Sequence, residues 1–285
     1  GENTGLRSED LDFWNMYGGR NAGEVVEETP MPSPSPSEEP SPSPTPTENP
    51  AYEDVQKNSI DFTKIKIVND QMGYYPKSEK TSKLGVELSK SNGKVDFDWL
   101  KRNGIDFVML KIGGRGYESG VISLDEQFTD YIEAAKKADL DIGVTFYSQA
   151  VSVTEAVEEA NFVVNQLQSY TIRYPVALVM EEITNDTART DTLSVDQRSR
   201  IAEAFLQTIQ YDGYHAILYG NEQWLMEKIR PDGLLTDYDV LLNDTNPLPE
   251  YPYEFKMWRY ATDISLAGLE NGGSYIISFV DYSMK

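Results

Sequence analysis

The chain has 285 residues, and its 25 Lys and Arg against 47 Asp and Glu leave a net charge of −22 at neutral pH. That balance excludes a surface built to track phosphates, so nucleic acid is not an expected partner. With no cysteine, disulfides, thiolate nucleophiles and cysteine metal sites are excluded too, and stability must come from a sizeable core.

The single histidine, His215, stands inside the apolar run 214–219, which argues for a strand-end residue and against a Ser-His-Asp hydrolase. No window approaches the roughly 18 apolar residues of a membrane span. No signal peptide is visible, and a chain starting at Gly1 is expected to have lost any targeting segment or N-terminal membrane anchor.

Residues 1–28 are polar and acidic apart from a short aromatic knot at Phe13, Trp14, Met16 and Tyr17. Residues 29–50 alternate Pro with Ser, Thr and Glu, a composition that favours extended polyproline II and cannot build a core. This disordered spacer suits a domain displayed outside a cell. Residues 51–83 hold two short extended segments, IDFTKIKIV and MGYYP, with Asn69-Asp70 as the turn between them, and predict a lead-in hairpin.

From residue 84 to 285 the pattern becomes regular. Apolar runs at 84–88, 106–112, 141–147, 174–180 and 214–219 are separated by stretches of helical period, which is the grammar of a parallel α/β fold. Capping boxes at Ser123/Glu126, Ser152/Glu155 and Ser194/Gln197 are expected to open three of the helices. In the middle one Ala156, Ala160, Val163, Val164 and Leu167 make the core face, leaving Glu155, Glu158 and Glu159 as a solvated face.

Three further extended runs at 239–242, 255–261 and 274–280 bring the strand count to eight, which predicts a closed barrel. The turn Gly113-Gly114-Arg115-Gly116 lacks the spacing of a phosphate-binding loop and reads as a flexible loop at the barrel mouth. The acidic stretch 186–196 is too scattered for a calcium loop and reads as a solvated connection.

The stretch YPVALVMEE, four buried-type residues stopped by Glu181 and Glu182, puts carboxylates where a parallel α/β fold keeps its chemistry. Together with VMLKIGGRGYESG, GVTFYSQAVSVTEAVEEANFVV and KMWRYAT, it resembles the family 25 glycoside hydrolases, lysozymes that cut peptidoglycan as N-acetylmuramidases. The resemblance implies an irregular TIM-like (β/α)5(β)3 barrel, in agreement with the strand count.

It further implies a bacterial extracellular or cell-surface protein with peptidoglycan as ligand and neither cofactor nor metal. In the family the fourth strand ends in Asp-x-Glu, the Glu being the acid and the Asp its helper. Glu181 fills the acid position here, and Val179 stands at the Asp position.

Glu87 on the first strand, followed by Ser91-Asn92 in place of the usual Trp-Gln, and Asp281 on the last strand are the remaining candidate catalytic carboxylates. Phe146, Tyr147, Asn243, Asp244, Trp258 and Arg259 are candidate sugar-binding residues at the strand ends. Arg259 replaces the family's usual Gln and is expected to hold Glu181 ionised, a poor state for a general acid. Two functions stay open on the sequence: a muramidase of weak or lost activity using Glu181 with Glu87 or Asp281, and an inactive glycan-binding or scaffolding barrel.

Overall fold

A computed structural model describes residues 49–284. The polar segment 1–28, its aromatic knot and most of the Pro-rich stretch lie outside the described residues. The chain enters through the hairpin β1 (Ile65–Val68) and β2 (Gln71–Tyr74). Asn69 and Asp70 both adopt positive φ, 52° and 65°, the conformation that two-residue hairpin turns need and that Asn and Asp tolerate.

Then follow β3 (Lys83–Leu88), α1 (Phe97–Arg102), β4 (Phe107–Arg115), β5 (Ile122–Leu124), α2 (Phe128–Lys137), β6 (Asp141–Tyr147), α3 (Val153–Leu167) and β7 (Val176–Val179). The chain continues through α4 (Val195–Tyr211), β8 (Ala216–Gly220), α5 (Glu222–Glu227), β9 (Asp239–Asn243), β10 (Met257–Ile264) and β11 (Gly273–Ser278). Eight strands close a ring in the order β3-β4-β6-β7-β8-β9-β10-β11, with β11 returning to β3. Five βα units followed by three strands form the irregular barrel. No described helix is long and apolar enough to cross a membrane.

Seven strands run parallel, and β11 alone runs antiparallel to both its neighbours. The mouth is therefore formed by the C-terminal ends of seven strands and the N-terminal end of β11. Along each strand alternate residues face inward and outward. Phe107, Met109, Tyr147, Ala177, Val179, Ile217, Tyr219, Leu241, Met257 and Ile276 fill the interior. The outward set packs under the helices in a second, larger core.

The floor of the ring is aromatic, with Phe107 stacked on Tyr174 at 4.2 Å between centroids. Gly85 makes room for it, since a Cβ there would meet the Phe107 ring at 2.2 Å. Gly85→Ala is expected to destabilise by about 1–3 kcal/mol through overpacking, read as a lower Tm in thermal melts.

The helix starts are of three kinds. Ser194 and Gln197 make the full capping box of α4. Ser152 caps α3 by accepting from the Glu155 amide, while the Glu155 carboxylate accepts instead from Val151 N. Ser123 caps nothing: it lies within β5, and α2 starts five residues later behind Gln127 with no side-chain cap.

Gly113 and Gly114 are strand and not a loose loop, because β5 folds back antiparallel on them. At Gly113 the ladder leaves no room for a side chain, as a Cβ would sit 2.1 Å from Ser123 O. Arg115, which ends β4, donates to Glu159 at 2.9 Å and to Glu158 at 3.0 Å and pairs with Glu155 at 3.2 Å. Glu159 is fully buried, so the acidic side of α3 is in large part an anchor for the end of β4 and not a solvated face.

Candidate active site

The inward positions nearest the mouth are polar, and they converge. Glu87 on β3, Asn243 on β9, Arg259 on β10 and Ser274 on β11 are linked side by side through the ladder, Asn243 opposite Arg259 and Ser274 opposite Glu87. Arg259 is the hub. Its Nε lies 2.8 Å from Glu87 Oε2, its Nη1 donates to Asn243 Oδ1 at 2.8 Å, and its Nη2 donates to Ser274 Oγ at 2.9 Å. Tyr219 on β8 adds its hydroxyl, donating to Glu87 Oε2 at 3.3 Å.

Glu181 follows β7 by two residues and keeps the inward parity of Ala177 and Val179. It is 1% exposed, and neither carboxyl oxygen makes a hydrogen bond of good geometry. Burial pushes its carboxyl up to about 8, against the opposing pull of Arg259 and weaker ones from the Asn221 amide and the Asn243 side chain. Arg259 therefore does not hold Glu181 ionised, contrary to the sequence expectation, because its guanidinium is spent on Glu87.

Burial also raises Glu87, but Arg259 and Tyr219 oppose that rise from contact distance. A single guanidinium facing two buried carboxyls distinguishes them: it touches Glu87 and favours the charged form there more than at Glu181, whose carboxyl burial raises to about 8.

Val179 is wholly buried between Tyr147 and Tyr219 in the ladder, inside the interior cluster and directly beneath Glu181. Tyr147 lies inward at 6% exposure with Lys111 Nζ over its ring at 4.2 Å. Asn243 belongs to the hub. Asp244, next along, accepts from the Asn246 backbone and side-chain N–H groups, both at 2.8 Å, and fixes the turn after β9. With Asn221, Glu222 and Gln223 these residues line a polar cleft of about 290 Å³ on the rim.

Three candidates fall elsewhere. Asp281 follows the C-terminal end of β11 and sits at the opposite end of the ring, 4.0 Å from Lys83 at the start of β3 and bonded to Ser283. It cannot assist Glu181. Phe146 faces outward, packed between Phe162 of α3 and Phe205 of α4. Trp258 also faces outward, its indole N–H bonded to Asp244 O at 2.6 Å and its ring edge-on to Phe62 at 5.9 Å.

Tyr219, Ser274 and Lys111 belong to the site and escape the sequence reading. The signal that could have found them is strand register, which sets Tyr219 beside Val179 and Ser274 beside Glu87.

The segment between β7 and α4 crosses the mouth. Ile183 and Tyr117 pack into the interior cluster, and Tyr117 donates to Asp186 at 3.0 Å. Arg189 ties the segment down through Glu155 at 2.6 Å, Gln149 O at 3.1 Å and its own amide on Tyr117 O at 3.0 Å. The acidic stretch is thus pinned in its first part. Among the described residues no group of three or more His, Asp or Glu is placed to hold a metal.

The sequence profile described as glycosyl hydrolases family 25 matches residues 86–269. The chain belongs to glycosyl hydrolase family 25. The matched stretch begins one residue before Glu87 and includes Glu181, Asn243 and Arg259, and it ends before Ser274.

Solved structures share the family 25 barrel at low identity. The modular autolysin LytC of Streptococcus pneumoniae, solved with a synthetic peptidoglycan ligand, is 17% identical with a TM-score of 0.59 over 75% of this chain and 51% of its own. The spore cortex lytic enzyme SleM of Clostridium perfringens is 15% identical with a TM-score of 0.59, over 71% of this chain and 68% of its own. A bacterial lysozyme from Streptomyces coelicolor is 15% identical with a TM-score of 0.56, over 68% of this chain and 90% of its own. The chain thus spans about half the length of the pneumococcal autolysin. No curated protein matches it in sequence.

Proposed function

We propose that this family 25 barrel is directed to bacterial cell-wall peptidoglycan and engages it without cutting it. The observation that carries this reading is the Arg259–Glu87 ion pair at 2.8 Å. Glycoside cleavage builds positive charge at the anomeric carbon and needs a free carboxylate to stabilise or capture it. Glu87 is a carboxylate whose charge reaches Glu181, and it already faces a guanidinium in a buried site. Val179, where the family's second carboxylate would stand, offers only methyl groups. Losing such a stabiliser costs about a hundred- to a thousandfold in rate, and both positions are compromised.

Family membership supports a wall glycan as ligand, and the rim cleft of Asn221, Gln223, Asn243 and Asn246 supplies amide groups of the kind that bind sugars. A wall-directed barrel behind a Pro-rich spacer fits display on the outside of a bacterial cell.

The second reading, a slow muramidase, is favoured by one observation: Glu181 retains its proton at neutral pH, as a general acid must. Reducing-end release from purified peptidoglycan separates the two. The proposed reading expects the wild type and Glu181→Gln to give the same background signal while both co-sediment with the insoluble wall. Release that disappears in Glu181→Gln establishes the muramidase.

A further inference from the structure

On the side of the barrel formed by β9, β10 and β11 no helix stands between successive strands, and the lead-in segment supplies the cover. Phe62 meets Trp258, Tyr74 meets Phe279 edge-on at 5.3 Å, and Met72 is 7% exposed. The cover is incomplete. Between the β1–β2 hairpin and the turn after β9 runs an apolar groove of about 370 Å³, with Phe62, Ile65 and Met72 on one wall and Pro247, Leu248 and Trp258 on the other. On its two lips Ile67 is 59% and Leu248 67% exposed. Single exposed aliphatics are ordinary, but two that flank one apolar cleft mark a place where something docks.

We propose that the occupant is the chain's own segment Phe13-Trp14-Asn15-Met16-Tyr17. Three observations point to it. Phe13, Trp14 and Tyr17 are the only aromatic residues of the first 48, so a stretch otherwise devoid of aromatic side chains carries them within five positions.

The charges match as well. Residues 1–28 hold seven acids and two arginines, with Glu9, Asp10 and Asp12 directly before Phe13, whereas residues 57–83 hold six lysines and three acids in a chain of net charge −22. Lys64 and Lys66 of that basic stretch are exposed next to Ile65 and Ile67.

The tether also starts in the right place. Tyr52 stacks on Tyr253 at 4.9 Å, and Tyr253 lies five residues along the chain from Leu248 of the groove wall. Each residue between Tyr17 and Asn49 spans up to roughly 3.3–3.6 Å, far more reach than the return needs. Because the segment belongs to the same chain, its docking is intramolecular, and the tether raises its effective concentration at the groove whatever the protein concentration.

The chain lacks cysteine, so Asn15→Cys places a nitroxide at one site of the isotope-labelled full chain. The expected result is a severalfold, concentration-independent loss of amide signal at Ile65, Ile67, Met72 and Leu248, with none at Tyr211 on the far end of α4. Adding Phe13→Ser and Trp14→Ser to the same labelled chain should restore those signals, and the unchanged remaining spectrum would show that the barrel still folds.

Uniform broadening, broadening centred elsewhere, or signals indifferent to the Ser substitutions would overturn the proposal. So would equal broadening of an unlabelled-spin chain by a spin-labelled one, which would identify a second copy as the occupant.

Discussion

Arg259→Ala is expected to lower the unfolding free energy by about 3–5 kcal/mol, the scale set by removing one partner of a buried ion pair. The reason is the number of groups that depend on this guanidinium. Glu87 Oε2, Asn243 Oδ1 and Ser274 Oγ all take their contact from it, and Glu87 and Asn243 are at most 1% exposed. Lys111 also acts on Glu87, but its ammonium sits over the Tyr147 ring and cannot reproduce the three-way fork.

Folding responds by protonating Glu87, so the loss should be smaller at pH 5 than at pH 8. Glu87→Gln together with Arg259→Met should recover part of the deficit, since removing both charges eliminates the uncompensated one. Denaturant titrations of the three proteins at both pH values give the comparison. A loss below about 1 kcal/mol for Arg259→Ala would place the guanidinium in a solvated setting typical of surface pairs.

The second large effect is on the pH dependence of stability, through Glu181. Its folded carboxyl is raised from 4.5 to about 8. Between those values the folded chain holds a proton that the unfolded chain has released, so stability falls as pH rises. The stabilising contribution is complete below the unfolded value and is lost by the time pH passes the folded one.

The slope in that window is ~1.4 kcal/mol per pH unit for one such group. Glu181→Gln cannot ionise, so the wild-type and variant curves should nearly coincide near pH 4 and diverge above it, with the variant the more stable at pH 8. This is an uncommon direction for substituting a buried polar residue at a candidate catalytic position. It follows from a carboxyl kept neutral by burial without good hydrogen bonds. Parallel curves across the range would mean that Glu181 ionises equally in both states.

The barrel itself was legible because each βα unit announces itself twice, by a short apolar run and by a helical period behind it. Eight extended runs in the order found, with the helices dwindling after α5, suffice to define the ring. Glu181 was legible because a carboxylate at the end of an apolar run is costly unless it is used or paired, and Glu87 only through its place in the family resemblance.

What failed was direction and parity. Barrel strands are buried on both faces, so hydrophobicity does not distinguish Phe146 from Tyr147, or Trp258 from Arg259, although each pair points to opposite sides of the wall. The reversed direction of β11 is likewise absent from its composition. It moves Asp281 to the floor and brings Ser274 to the mouth.

Arg115 hid the fate of Glu159. Three glutamates on one helix face look solvated until a strand end carrying an arginine folds against them. The Gly113-Gly114 pair reads as a flexible loop because the need for close approach by β5 leaves the same mark on a sequence as the need for flexibility.

The functional reading rests on Arg259 being committed to Glu87 while the Glu181 carboxyl is raised by burial. Carboxyl-carbon NMR titration of the full chain, with the Glu181 resonance assigned by its absence from Glu181→Gln, measures it directly. A Glu181 midpoint near 8, with Glu87, in contact with Arg259, ionising before it, is the expected outcome. A Glu181 midpoint near the ordinary 4.5 would contradict it, because the mouth would then hold two carboxylates and only one of them could be neutralised by Arg259.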